Sequence, residues 1–248
     1  AAAAADRRLL TEIVNGSVRM VKHLDWVLNL FLKGDIDSQN RWLRNVLRVS
    51  AYQILFMEKV PDYAVVNEAV DIVRKKTGAG LSRVANGVLR SLIRQQKDLC
   101  YPEDPVEKLA VLYSHPRWLA EFLLETYGRQ LSEEIMAFNN RPPALVLRCN
   151  LLRHSPFELL KELDSEGISS SISPLAPFAL RVEDAAGLLS ESKTFKKGGF
   201  YVQNEASMLA AAILNPVPGD IVYDLCCGVG GKSTHLAELM QNRGRIFS

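Results

Sequence analysis

The segment at residues 221–239 constrains the fold of this chain more than any other, because it predicts a strand, a glycine-rich turn and a helix in immediate succession. It reads IVYDLCCGVGGKSTHLAEL. The apolar run before Asp224 is typical of a strand, and the apolar residues three to four positions apart after the glycines are typical of a helix. This order of elements points backbone N–H groups and a helix N-terminus at one place, which favours a bound nucleotide-like ligand.

Three ligand-binding turns share this order of elements, and the spacing of their glycines distinguishes them. The phosphate-binding loop G-x-x-x-x-G-K-[ST] is matched from Gly231 onward, but its first glycine falls at Cys226. The dinucleotide fingerprint G-x-G-x-x-G is matched at Gly228 and Gly230, but its third glycine is Ser233, where helix packs against strand. Both templates stay open as minor alternatives.

The third template is an acid at the strand end followed by small residues at alternate positions, and it fits best. Asp224, Cys226, Gly228 and Gly230 alternate in this way, with cysteine in place of the first glycine. Small residues let the backbone approach S-adenosylmethionine closely; this ligand has no pyrophosphate and presents a methionine carboxylate and a ribose. The pattern therefore favours a methyltransferase.

The N-terminal part of the chain has helical periodicity from Leu9 to about Tyr127. Turn signals at 33–35, 60–62 and 76–78 separate its apolar stripes. We therefore predict an all-helical domain of five or more helices with these stripes as its core. Residues 1–97 hold 16 Lys and Arg against 9 Asp and Glu, a net charge of +7. This charge indicates either a polyanionic partner or an ordinary solvated surface.

A smaller module of mixed structure follows. Residues 144–150 read as a strand, 156–163 as a helix and 168–182 as one or two strands interrupted by prolines, which together suggest an α+β module. A basic cluster then precedes two glycines and consists of Lys193, Lys196 and Lys197. The cluster is either a solvated run of lysines, the interpretation that we favour, or a contact for phosphates.

Several classes of protein are excluded by composition. No apolar run reaches the roughly 18 residues that a membrane-spanning helix needs. The start of the sequence does not resemble a signal peptide, because no basic segment precedes an apolar one there. The four cysteines lack C-x-x-C spacing and the four histidines are scattered. We therefore expect a metal-free protein without disulfides in a reducing cytoplasm. The five alanines at the start are given no functional weight.

The glycine turn resembles the first cofactor motif of the RsmB/Sun family of ribosomal RNA cytosine-C5 methyltransferases. That motif runs close to D-L-C-A-A-P-G-G-K-T-T-H, and residues 224–235 here read D-L-C-C-G-V-G-G-K-S-T-H. The chain departs from it at Cys227, Gly228 and Val229, where Ala-Ala-Pro is usual, and conservatively at Ser233, where threonine is usual. Loss of the proline removes a fixed φ from the turn, and the added glycine increases its freedom.

Further segments resemble the same family in the same order along the chain. They are SHPRW at 114–118, LRCN at 147–150 and FYVQNEAS at 200–207. The helical part resembles the NusB RNA-binding fold, notably in AYQIL at 51–55, VNEAV at 66–70 and VANGVLR at 84–90.

The resemblance covers residues 6–248 and implies a multi-domain chain. Its parts are an all-α NusB-like helical RNA-binding domain with linker helices at 1–130, a small α+β RNA-recognition-like module at 131–198, and the start of an α/β Rossmann-like S-adenosylmethionine-dependent methyltransferase domain at 199–248.

The reaction implied by the resemblance is methylation of C5 of a cytosine in small-subunit (16S) ribosomal RNA. In the family a cysteine thiolate adds to C6, so that C5 can attack the sulfonium methyl. The two cysteines of that cycle lie in Pro-Cys and Thr-Cys-Ser motifs beyond the cofactor turn, and neither motif occurs in this sequence. We therefore expect no catalytic residue among the 248, which resemble the front half of such an enzyme.

The resemblance also implies which residues bind the ligands. The cofactor would contact Cys226, Cys227, Gly228, Val229, Gly230, Gly231 and Lys232. Ribosomal RNA would contact the basic helical domain and, as weaker candidates, Arg148, Lys193, Lys196 and Lys197. We expect a monomeric cytoplasmic protein with no metal and no membrane partner. The alternative is a non-catalytic NusB-like RNA-binding protein with an incomplete cofactor domain.

Overall fold

The computed structural model describes residues 4–185 and 189–248. The first three N-terminal alanines and residues 186–188 lie outside the described residues. The chain divides into two compact units, Ala1–Arg141 and Pro142–Ser248. None of the described helices is long and apolar enough to cross a membrane.

The first unit is helical, as the periodicity predicts. Within residues 4–141, a short 3-10 helix at Ile36–Ser38 accompanies seven α-helices: α1 at Ala4–Arg19, α2 at Val21–Asn29, α3 at Arg41–Phe56, α4 at Asp62–Thr77, α5 at Ala79–Gln95, α6 at Pro105–Leu112 and α7 at Arg117–Asn139. The predicted stripes form the core, where Leu24, Leu47 and Leu89 are fully buried together.

Local signals set the ends of these helices. Asp104 accepts a hydrogen bond from the backbone N–H of Glu107 at 2.8 Å and so caps α6, with Pro105 in the first helical position. Gly78, with a φ of 91°, ends α4 and begins α5, a backbone conformation that glycine adopts without strain.

The first unit extends beyond the boundary at residue 130 that the sequence suggests. Helix α7 kinks at Gly128, where φ is 72°, and then continues to Asn139. Its later part remains with the helices because the fully buried Met136 packs against Ala120 and Leu123. The apolar contacts across the kink therefore keep the whole of α7 in the first unit, which ends at Arg141.

The second unit contains a four-stranded antiparallel sheet in the order β2-β3-β1-β4. Its strands are β1 at Leu145–Cys149, β2 at Ile168–Ile172, β3 at Ala179–Ala185 and β4 at Phe200–Val202. Helix α8, Pro156–Ser165, covers one face, where Leu159 and Leu163 pack with Leu147. The predicted strand, helix and strands of the small module are confirmed.

The small module does not end at residue 198, because its sheet needs β4. Leu147 of β1 pairs with Val202, so the segment after the lysine cluster completes the edge of this sheet. A short helix, α9 at Lys193–Lys196, precedes β4, and the alanine-rich helix α10, Glu205–Leu214, follows it.

The glycine turn lies between a strand and a helix, as predicted. Strand β5 is Ile221–Tyr223, helix α11 is Gly231–Leu239 and strand β6 is Arg245–Phe247. The two strands are parallel, with Ile221 beside Arg245, so the helix crosses between parallel neighbours. This βαβ arrangement presents the turn and the N-terminus of α11 at the carboxyl end of β5.

Candidate functional site

The loop between β5 and α11 has a backbone that favours glycine at two positions. The φ angles of Gly228 and Gly230 are 54° and 84°, in the left-handed region. A Cβ atom at either position would meet no protein atom within 4 Å. The glycines therefore serve the turn itself, and the space beside them is open to a ligand.

Asp224, at the end of β5, holds the two ends of this loop together. One carboxylate oxygen accepts the backbone N–H of Cys226 at 3.1 Å, and the other accepts the hydroxyl of Ser233 at 2.7 Å. The hydrogen bond from Ser233 is the main reason that the pKa of Asp224 lies below its usual value, and burial opposes this shift. An ionised Asp224 thus fastens the loop to the first turn of α11.

The loop also closes on itself. The N–H of Gly230 donates to the carbonyl of Cys227 at 2.9 Å, and the N–H of Thr234 donates to the carbonyl of Gly230 at 2.9 Å. Helix α11 starts directly after this turn. The first N–H groups of a helix lack intrahelical acceptors and carry partial positive charge, so they favour an anionic group.

Arg148 lies under this loop and not on the surface, which corrects our expectation that it contacts RNA. It is 1% exposed and is among the largest fully buried side chains. Its two terminal nitrogens donate to four acceptors: the side chains of Gln203, Thr234 and Glu238 and the carbonyl of Gly231. These contacts engage both terminal nitrogens of Arg148, and its Nε is buried without a hydrogen-bond partner, so the side chain offers no exposed N–H group to a phosphate.

The alternation of strand β1 explains this placement. Leu147 and Cys149 face α8, so Arg148 faces the opposite side of the sheet, where Glu238 of α11 neutralises it at 2.9 Å. An isolated charge in an otherwise apolar strand signals a buried partner, because an unpaired buried charge is strongly unfavourable.

A cleft of about 320 Å³ opens between α10, β5 and α11. Ala211 and Leu236 contribute to its apolar wall, and Asp224 contributes to its lining. Of the seven residues predicted to contact the cofactor, Cys226 and Lys232 line this cleft. It can accept a mainly apolar group whose polar end lies near a carboxylate and an ammonium.

The four cysteines are free and differ in exposure. Cys226 and Cys100 are exposed, Cys227 is half-buried and Cys149 is buried in the sheet. Burial raises the pKa of Cys149 to about 12, so its thiol stays protonated near neutral pH. Cys149 packs in the core of the small module with Leu147 and Leu159.

The lysine cluster is exposed. Lys193, Lys196 and Lys197 lie on and just after α9. Their ammonium groups face solvent, and the backbone N–H groups of Lys193 and Thr194 donate to the carboxylate of Glu166 at 3.0 Å. Both interpretations of this cluster remain compatible with its position.

A basic face on α5, formed by Arg83, Arg90 and Arg94, was not identified from the sequence. Spacings of seven and four residues place these exposed side chains along one side of the helix. Their guanidinium groups donate to the neutral oxygens of Ala79, Asn86 and Ser91. The spacing of these three arginines, in and beside the segment VANGVLR, could have revealed this face. The net charge of residues 1–97 does not show where on the domain a polyanion would bind.

Three family descriptions match successive parts of the chain. The NusB family matches residues 1–94, a ferredoxin-like domain of RsmF/B-like methyltransferases matches residues 115–188, and 16S rRNA methyltransferase RsmB/F matches residues 211–248. Their order is the order that the sequence resemblance predicted.

Curated relatives align along nearly the whole chain. It is 36% identical over 244 residues to a probable ribosomal RNA small subunit methyltransferase B of Bacillus subtilis, and 34% identical over 246 residues to one of Synechocystis. Each alignment covers 98% of this chain but 54% and 55% of the respective relatives. The chain therefore spans about half the length of the curated relatives that it matches.

Solved structures show the same fold. The crystal structure of PH0851 matches 98% of this chain and 55% of that chain, with a TM-score of 0.78 and 28% sequence identity. A methyltransferase homolog protein from Pyrococcus horikoshii matches 58% of this chain and 47% of that chain, with a TM-score of 0.53 and 26% identity.

Proposed function

The chain belongs to the RsmB/F family of ribosomal RNA methyltransferases, and on that premise we propose that it takes part in S-adenosylmethionine-dependent methylation of C5 of a cytosine in small-subunit ribosomal RNA. Within these 248 residues, the loop at residues 226–232 binds the cofactor and the helical unit binds the RNA.

The observation that carries the proposal is the geometry of the glycine loop. Gly228 and Gly230 adopt left-handed conformations with open space beside them. A ligand can therefore approach the backbone closely, and the N-terminus of α11 favours its carboxylate. S-adenosylmethionine has such a carboxylate and lacks the pyrophosphate for which the competing turns are built.

The two competing templates account less well for the same residues. A phosphate loop needs glycine where this chain has the exposed Cys226. A dinucleotide turn needs a third glycine where Ser233 donates its hydroxyl to Asp224. In the methyltransferase interpretation, Cys226 and Ser233 are both donors to the acid at the strand end, Asp224.

The cofactor, when bound, supplies the electrophilic methyl group. The residues of the loop and the cleft would bind and orient it: backbone N–H groups of the loop would hold its carboxylate, the apolar wall at Ala211 and Leu236 would exclude water, and Lys232 would add a positive charge. The nucleophile that adds to C6 is assigned to none of the four cysteines in this sequence. Cys149 in particular is buried with its thiol protonated.

The basic face of α5 supports the RNA-binding part of the proposal. Arg83, Arg90 and Arg94 present three guanidinium groups along one helix face. Gly87 lies among them, and a Cβ there would meet nothing within 4 Å. A phosphate backbone can thus approach the helix closely and contact several charges at once.

The alternative is a non-catalytic RNA-binding protein with an incomplete cofactor domain. Its support is the departure from the family motif at Cys227, Gly228 and Val229. Val229, which replaces the usual proline, is 90% exposed. This alternative predicts RNA binding without binding of S-adenosylmethionine.

The test is methyl transfer by the complete gene product. Small-subunit ribosomal RNA lacking the modification is incubated with S-adenosylmethionine carrying a labelled methyl group, and the nucleosides are identified by mass spectrometry. The proposal expects labelled 5-methylcytidine. Label in another nucleoside would contradict the C5 assignment, and RNA binding with no label would favour the non-catalytic alternative.

A further inference from the structure

We propose that Arg148 is a positioning residue for the glycine loop and that it fixes the direction of the backbone N–H groups that meet the cofactor. The inference rests on the proposed function for the identity of the ligand. The contacts of Arg148 itself carry the rest.

Arg148 fixes two successive carbonyl groups at the start of α11. One terminal nitrogen donates directly to the carbonyl of Gly231. The other donates to the hydroxyl oxygen of Thr234 at 2.9 Å, and that hydroxyl in turn donates to the carbonyl of Gly230 at 2.8 Å. Both carbonyls are thereby held toward the protein interior.

Holding these carbonyls also fixes the N–H groups on the other side of each peptide. A peptide bond is planar and trans, so the carbonyl of Gly230 and the N–H of Gly231 point in opposite directions in one plane. The same relation joins the carbonyl of Gly231 to the N–H of Lys232. These two N–H groups open the first turn of α11, where a helix has no acceptors of its own.

The residues involved explain why such a device is needed. Two adjacent glycines, Gly230 and Gly231, have the greatest backbone freedom of any pair, so their peptide planes would otherwise rotate easily. A ligand would then have to order the loop when it binds, at a cost in affinity. Arg148 orders it beforehand.

Arg148 is itself held firmly. Glu238 accepts a hydrogen bond from it at 2.9 Å, and both side chains are buried. Gln203 accepts another, and the ring of Tyr201 stacks against the guanidinium at 5.3 Å. Arg148 lies on β1, and Tyr201 and Gln203 flank it from β4 and the residue that follows β4. The four-stranded sheet therefore anchors the loop.

The experiment removes both charges of this pair, because a single substitution would leave an unpaired buried charge. The variant Arg148→Met/Glu238→Met is compared with Arg181→Met/Glu205→Met. The control removes a second arginine–glutamate pair between this sheet and a helix, with Nε of Arg181 and Oε1 of Glu205 2.8 Å apart. Arg181 and Glu205 are hydrogen-bonded to each other and, through Glu205, to Ser173, not to the loop.

The first readout is amide hydrogen exchange in the ligand-free protein. NMR monitors the exchange of the backbone N–H groups of Gly230, Thr234 and Met240. The N–H groups of Gly230 and Thr234 are bonded within the loop, whereas that of Met240 is bonded at the far end of α11. In the Arg148→Met/Glu238→Met variant we expect exchange at Gly230 and Thr234 to accelerate by about tenfold or more, as loss of a charge-assisted hydrogen bond implies, with Met240 unchanged. Unchanged exchange, or equal acceleration at all three amides, would overturn the inference.

The second readout is the affinity for S-adenosylmethionine, measured by calorimetry. We expect the Kd of the Arg148→Met/Glu238→Met variant to rise by about tenfold, while that of the control stays within about twofold of the parent. If the parent does not bind S-adenosylmethionine, the proposed function fails, and the exchange measurement still decides the role of Arg148. Accelerated exchange with unchanged affinity would overturn the link to the ligand.

Arg148→Lys serves if the double variant does not fold. Lysine keeps a positive charge opposite Glu238, but its single nitrogen cannot reproduce the planar fork that reaches Gly231 and Thr234 together. Faster exchange at Gly230 and Thr234 in this variant supports the inference, and parental exchange rates contradict it.

Discussion

The hydroxyl of Ser233 donates a hydrogen bond of 2.7 Å to the carboxylate of Asp224, and this bond joins the end of strand β5 to the first turn of helix α11. Together with the bond from the N–H of Cys226 to the same carboxylate, it closes the glycine loop at both ends. The loop is thus held in place by Asp224 at the end of β5 and by Arg148 on β1 of the four-stranded sheet.

Asp224 makes the stability of this region depend on pH. Its pKa is lowered in the folded protein, mainly by Ser233. Its contribution is therefore present above the ordinary aspartate pKa and is lost as the pH falls through the lowered value. We expect Asp224→Asn to be less stable than the parent at pH 7 and the gap to be smaller at about pH 3, below the ordinary aspartate pKa. Urea unfolding at both pH values measures this gap, and a gap that widens in acid would contradict the assignment.

Gly230 should be essential for binding of the cofactor. Valine at a φ of 84° strains the backbone and places a branched side chain where the ligand approaches. We expect Gly230→Val to abolish binding of S-adenosylmethionine. Gly219→Val is the control, because Gly219 also has a positive φ, 105°, and open space but lies before β5. Equal loss in both variants would indicate general unfolding and not a ligand contact.

The α5 arginines should dominate the salt dependence of RNA binding. We expect the triple substitution of Arg83, Arg90 and Arg94 by Gln to weaken binding to small-subunit ribosomal RNA. The slope of log K against log salt should become less negative by about 2 to 3, since each phosphate contact contributes about 0.7 to 0.9. Filter binding at several KCl concentrations between about 50 and 300 mM measures this slope.

A second triple variant controls for net charge in that experiment. It replaces three arginines of the first unit that are paired with carboxylates: Arg44, Arg117 and Arg129. Because these charges are already partly neutralised, their removal should change the slope less. The same change in both variants would show that only overall charge matters.

Thiol reactivity should report occupancy of the loop. We expect iodoacetamide to modify the exposed Cys100 and Cys226 in the folded protein but not Cys149, whose thiol is buried and protonated. S-adenosylmethionine should slow modification of Cys226 and leave Cys100 unaffected. Peptide mass spectrometry follows both sites, and equal rates with and without the ligand would place the binding site elsewhere.

The sequence predicts those parts of the structure that depend on neighbours along the chain. The strand, turn and helix at 221–239 are local, and so are the strand of β1 and the helical stripes of the first unit. Each is encoded by periodicity and by glycine or capping residues within a few positions.

The sequence does not predict features that depend on distant partners. Arg148 is compatible with an RNA contact until Glu238, ninety positions away, is found beside it. The boundary that the sequence suggests at residue 130 is similarly displaced, because Met136 packs back across the kink of α7 against Ala120 and Leu123. Strand β4 joins the module only through its pairing with β1.

The most direct test of the account is calorimetric titration of the purified protein with S-adenosylmethionine. The account predicts saturable binding with one site per chain, lost in Gly230→Val and retained in Gly219→Val. Absence of saturable binding in a folded protein, or binding that survives Gly230→Val unchanged, would contradict the assignment of the glycine loop as the cofactor site.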